Sequence, residues 1–184
     1  MPCRHPTPPR TWLMTDERLG DRLWSALERL PRGSGIVFRH YSLTPDERRA
    51  LFARVAQIAA RRRLVLLRAG RTRLARTEQG VHNGPKPVVG LWTRAVHTRR
   101  DLIAAHRDGV DLVFASPVFA TESHPGARSL GRARFMAMVQ DASMPVIALG
   151  GMTPQRARIL CDHRIHGWAA IDWWADQKRK AVPI

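Results

Sequence analysis

Lysine is close to absent from this chain: Lys86, Lys178 and Lys180 are the only three, so a formal charge of +16 rests almost wholly on arginine. Cysteine is as scarce. Cys3 and Cys161 are too few and too far apart for a disulfide framework or a zinc-ligand spacing, and a reduced, cytoplasmic setting is the expectation. No apolar run approaches the ~18–20 residues needed to span a bilayer. Met1–Arg10 is Pro-rich and polar and lacks the apolar middle of a signal peptide. HExxH, CxxC and similar clusters are missing, which argues against a protein-caged transition metal. No repeat at solenoid spacing and no long linker interrupts the chain.

What is present suits one globular unit. The 184 residues, 44% of them hydrophobic, are enough for a sizeable core. The expected organisation is a flexible tail over residues 1–10 and one domain over 11–184. Charge of this sign raises nucleic-acid binding as a possibility. The arginines recur along the whole chain, however, largely where solvent-facing helix positions fall. That distribution favours a solvated basic surface over a nucleic-acid partner.

Short β-rich runs alternate with amphipathic stretches. Strands are expected at Trp12–Thr15, Ile36–His40, Leu64–Leu67, Val81–His82, Val88–Trp92, Leu112–Phe119, Val146–Leu149 and Trp168–Ile171. Most are continuous apolar runs, as parallel strands buried on both faces require. Thr44-Pro45-Asp46-Glu47 reads as an N-cap, a proline in the first turn and two acids. Leu51, Phe52, Val55, Ile58 and Ala59 follow at helical spacing. Thr98 and Thr153-Pro154 open similar segments, and Leu130–Ala142 carries Phe135, Met136 and Val139. About eight strands in so short a chain favour a small closed barrel of TIM type over an open doubly wound sheet. Only Pro85-Lys86-Pro87 stand between Gly84 and the fifth strand, so the helix there is truncated or missing.

In such barrels the ligand sits at the C-terminal strand ends, with phosphate often near the last strands. Gly150 and Gly151 end a strand and open a helix, where backbone amides can approach an anion. Ser116, Thr121 and Ser123 bring hydroxyls to one loop with Glu122 and His124. His124 is the preferred acid–base candidate because imidazole titrates near neutrality. Arg39 ends the second strand at the barrel mouth. There it suits a phosphate or carboxylate, or an ion pair with Asp16 or Glu17. His82 and His97 lie at strand ends and line the site or serve structure. His106, His163 and His166 read as surface, and Trp173 and Trp174 as core or rim packing.

The segments VGLWTRAVHTRRDLIAAHRDGVDLVFASPVFATESHPG, MPVIALGGM and GWAAIDWW resemble thiamine phosphate synthase and its thiazole tautomerase (TenI-like) relatives. IVFRHY and GVHNG match more loosely. The resemblance implies a (β/α)8 barrel and a synthase that couples a pyrimidine pyrophosphate to a thiazole phosphate, with Mg²⁺ on the pyrophosphate. Arg39 then matches the arginine of a Q-x-R-x-K strand in which Val37 and Tyr41 replace the other two residues. Thr121 and Ser123 match the hydroxyls of a T-x-T-K loop, with His124 in place of its lysine. Gly150 and Gly151 match the phosphate-binding glycines, and His97 matches the histidine of an S-T-H segment.

The family's metal-binding aspartates fall on Ala69-Gly70 and on Pro85–Pro87, so the carboxylate ligands for Mg²⁺ are missing. Arg68 and Arg71 are candidates to replace the metal's charge. Asp172 stands where the last strand offers serine or backbone to phosphate, and the tautomerase histidine falls near Pro117. These departures keep three readings open: a synthase with a degenerate metal site, a tautomerase-like isomerase using His124 or His97, and a non-catalytic binder. All three take a small phosphorylated heterocycle as partner, need no membrane, and are compatible with a homodimer.

Overall fold

The computed structural model describes residues 7–76, 78–121, 129–160 and 165–175. Eight parallel strands close into a barrel in chain order, with β1 pairing β8. The elements are β1 (Thr11–Met14), α1 (Arg22–Arg29), β2 (Gly35–Phe38), α2 (Pro45–Arg62), β3 (Val65–Ala69), β4 (Gly80–His82), β5 (Leu91–Val96) and α3 (Arg99–Asp108). They continue with β6 (Leu112–Ala115), α4 (Gly131–Val139), β7 (Val146–Ala148), α5 (Pro154–Ile159), β8 (Ile165–Ala170) and α6 (Asp172–Ala175). No helix of the described residues is long and apolar enough to cross a membrane.

Local chemistry sets the helix starts as expected. Thr44 and Thr98 each form a complete capping box, with Glu47 and Asp101 returning a hydrogen bond to the cap backbone. Thr153 caps α5 through Arg156 N–H. Strand boundaries differ from the sequence expectation by up to four residues, most of all in β5 and β6. β5 starts at Leu91 rather than Val88, and Val88 is fully exposed, because its β-branched side chain has no partner wall to pack on. β6 stops at Ala115, where the chain turns into the Ser116–Pro117 cis peptide. Helices α1 and α6 carry no start signal like those above, and sequence reasoning missed both. Asp21, at the N-cap of α1, makes no side-chain capping bond.

The barrel is filled by unequal side chains. Trp12 and Phe114 meet edge to face at 5.2 Å between ring centroids, and Phe114 meets His82 in the same way at 5.1 Å. Trp12 pairs in register with Gly35, where any Cβ would stand 2.1 Å from the indole ring. Outside the barrel, Phe52, Val55 and Ala59 of α2 are buried against β2 and β3, with Phe38 edge-on to Phe52 at 5.3 Å.

The wall between β3 and β5 is built differently. Neither the β3–β4 nor the β4–β5 connection carries a helix among its described residues. Arg68 and Phe38 share the outward face of the sheet, and the Arg68 Nε ion pair with Glu78 is 2.6 Å long and buried on both sides. Glu78 also accepts Leu74 N–H at 2.8 Å, and Gln79 accepts Leu66 N–H of β3 at 2.7 Å. A polar strap thus covers β3 where a helix would lie. Trp92 closes the next gap, donating to Gly84 O at 2.9 Å between the cations Lys86 and Arg94.

Replacing Gly35 by alanine is expected to destabilise the fold by about 3 kcal/mol through overpacking against Trp12. Urea unfolding checks this, and the penalty should shrink in a Trp12→Leu background because the two positions share one space.

Candidate functional site

At the C-terminal strand ends a cavity of about 570 Å³ opens. Its floor is Met14, His82 and Ala170, and its rim draws on six of the eight strand ends. The described part of the Ser116 loop, up to Thr121, lies beside the Leu149–Thr153 turn here. Leu149 N–H donates to Ala115 O, Val118 N–H to Leu149 O at 2.9 Å, and Phe119 N–H to Gly150 O at 3.1 Å. Gly150 and Gly151 both have positive φ, 98° and 59°. A Cβ on Gly150 would stand 2.9 Å from Pro117 Cα, and one on Gly151 would collide with Ala120 O. Glycine is required at both positions by dihedral and by space.

Arg39 reaches the same mouth, in an ion pair. Its Nη2 lies 2.6 Å from Asp16 Oδ2 and its Nε donates to Thr15 O at 2.7 Å. Burial lowers the Arg39 guanidinium from its ordinary value, and the Asp16 charge opposes that. Burial works to raise Asp16, but hydrogen bonds from Arg18 and the charges of Arg39 and Arg18 outweigh it, leaving the carboxyl below its usual range. Arg39 is therefore both a cavity residue and half of the ion pair that its position suggested.

His97 also lines the cavity, with Nδ1 3.1 Å from Ser116 O and 3.2 Å from Ser116 Oγ. Ser116 and Thr121 line it too. Ser123 and His124 lie outside the described residues. His82 belongs to the floor, 2% exposed, with Nδ1 3.0 Å from Thr93 Oγ1. His106 is exposed on α3, and His166 Nε2 is 2.7 Å from Pro8 O. Trp174 is buried, donating to Trp12 O at 3.1 Å, while half-buried Trp173 reaches the cavity.

Sequence reasoning missed Asn83 and Arg156. Asn83 has a left-handed backbone (φ 49°) and accepts Ala95 N–H at 2.8 Å, and the Asn-Gly pair after β4 was the available signal. Arg156 lies one turn beyond the glycines, with Nη1 donating to Gly151 O and its guanidinium 4.9 Å above the Phe119 ring.

The described residues do not fit a Mg²⁺ ion, which takes hard oxygen donors. β3 ends on Ala69 and Gly70 follows it, and after β4 the chain reads Asn83-Gly84-Pro85-Lys86. Asp172 is the one carboxylate among the described residues lining the cavity, and no described group of three His, Cys, Asp or Glu could hold a metal. Arg68 is no substitute cation, being committed to Glu78 on the outer wall.

Fold and cavity together define a small (β/α)8 barrel with its cavity at the C-terminal strand ends. The family model described as thiamine monophosphate synthase matches residues 12–173, and the chain belongs to that family. A protein of Aquifex aeolicus named "Putative thiamine-phosphate synthase 2" is 26% identical over 91% of this chain and 98% of its own length. Thiamine-phosphate synthase of Pyrococcus furiosus is 28% identical over 53% of this chain and 47% of its own. In structure, thiamine phosphate pyrophosphorylase from Pyrococcus furiosus superposes with a TM-score of 0.77 at 21% identity, covering 93% of this chain and 90% of that one.

Burial, aided by the Arg39 charge, pulls His82 from 6.5 to about 3. The unfolded chain binds this proton below about pH 6.5 and the folded chain does not, so stability falls as pH drops through that window and is unaffected above it. At about pH 5 the deficit is about 2 kcal/mol. His82→Gln should remove it, read as the difference in urea-unfolding free energy between variant and wild type at about pH 7.5 and pH 5.

Proposed function

We propose that this chain binds a thiazole phosphate of the thiamine pathway, with the phosphate at the Gly150–Gly151 turn and the ring over Ala95, His97 and Ser116. The observation that carries the reading is the paired positive-φ glycine turn packed against Pro117 and Ala120 at the cavity wall. Backbone amides without side chains let an anion come close, and amide donors aimed at a phosphate oxygen are charge-assisted hydrogen bonds. The family match supplies the ligand class.

The family's coupling reaction joins such a thiazole to an activated pyrimidine, displacing diphosphate. The thiazole half of that site is represented here, while the positions for metal-holding carboxylates carry Ala69, Gly70 and Pro85–Pro87. Each tenfold in rate is about 1.4 kcal/mol of barrier, so losing the metal's charge stabilisation removes several orders of magnitude. Synthase turnover is therefore expected to be slow.

One contact favours proton transfer as a second reading. Ser116 O accepts only, so the Nδ1 of His97 facing it carries the proton and Nε2 is the basic nitrogen. That arrangement suits a tautomerase-like isomerisation. Ser123 and His124 stay candidates from sequence for the same phosphate and proton-transfer roles.

Calorimetric titration tests the binding reading. Thiazole phosphate should bind at least tenfold more tightly than the unphosphorylated thiazole alcohol, with or without EDTA, and equal affinities would sink the proposal. For proton transfer, His97→Gln at saturating ligand should lose deuterium uptake from D₂O into the bound heterocycle.

A further inference from the structure

The cavity's charges pose a problem for a phosphate. Asp172, the one carboxylate among its described lining residues, stands at the same end of the barrel as the glycine turn. Unlike charge must be supplied nearby if a phosphomonoester dianion is to sit there. Arg39 is engaged by Asp16 and by Thr15 O. Arg68 faces outward against Glu78.

Arg156 is placed differently. It lines the cavity, its Nη1 is bonded to the carbonyl of Gly151 itself, and its guanidinium rests on the Phe119 face at 4.9 Å. Phe119 N–H in turn donates to Gly150 O, so ring, turn and guanidinium form one packed unit. A stacked guanidinium has little rotamer freedom left to lose on binding, and one bonded N–H leaves further donors in its planar fork.

We infer that Arg156 is a phosphate-binding residue that sets the specificity of this cavity for a phosphomonoester over its parent alcohol. The inference rests on the thiazole phosphate reading for the identity of the ring, and on the geometry of the Gly151–Phe119–Arg156 unit for the anion. Arg156 meets the ligand's charge directly, without a metal, while the glycine turn provides close approach.

The test titrates wild type, Arg156→Gln and Arg156→Lys with thiazole phosphate, thiazole alcohol and inorganic phosphate in EDTA, at low and high salt. Thiazole phosphate affinity should fall at least tenfold in Arg156→Gln and less in Arg156→Lys, with thiazole alcohol unchanged and the salt dependence of phosphate binding reduced. Equal loss for phosphate and alcohol would mean that Arg156 only braces the turn, and no loss for either would also overturn the inference. Thiazole phosphate failing while inorganic phosphate binds in an Arg156-dependent way would remove the thiazole reading and leave the anion site. Neither binding to wild type would overturn both.

Discussion

The centre of the barrel accepts one indole because Gly35, the register partner of Trp12 on β2, has no side chain. Trp12 fills the space over Gly35, while Gly80 and Gly167 let β4 and β8 approach the backbone of Leu91 and Arg10 closer than any Cβ permits. Interiors close-packed to this degree transmit position. Trp12 fixes Phe114, Phe114 fixes His82, and His82 is part of the cavity floor. The site thus stands on a column of rings whose dimensions were set at the bottom of the barrel.

The outer wall explains the uneven mouth. Where α2, α3 and α4 cover the strands, apolar helix faces supply the packing. Over β3 a buried Arg68–Glu78 pair and the side chain of Gln79 take that role. A buried pair contributes little net stability, yet removing one partner leaves a charge in a dry place at a cost of about 3–5 kcal/mol. Short polar connections after β3 and β4 leave glycine, asparagine and proline at the rim, where a metal site needs carboxylates. Among the described residues lining the mouth, Arg39 and Arg156 are the arginines, Asp172 is the one carboxylate, and Gly150 and Gly151 shape one wall.

Much of this was legible in the chain. Periodicity gave eight strands, the Thr-capped segments gave α2, α3 and α5, and Pro85-Lys86-Pro87 gave the missing helix. Val88 misled because a β-branched pair resembles a strand wherever it falls, and only the barrel's register moves β5 to Leu91. Helices α1 and α6 escaped because they are held by packing on the barrel and on each other rather than by cap chemistry. At the site, glycine pairs and polar loops are local signals, so Gly150, Gly151, Ser116 and Thr121 could be named from sequence. Asn83 and Arg156 depend on neighbours far along the chain, Ala95 and Phe119, and their roles follow from those contacts.

Sequence alone determined the fold class, the family resemblance and which residue types stand at the positions where the family holds its metal, because each is a statement of residue type at a spacing. Tertiary structure decided how the charges are used. Of the arginines in the chain, one is paired at the mouth with Asp16, one is buried outside against Glu78, and one is stacked on Phe119 beside the glycine turn. Composition makes these three equivalent. Distance and burial separate them, since Coulomb energy depends on the partner within a few ångströms and on the water that burial removes.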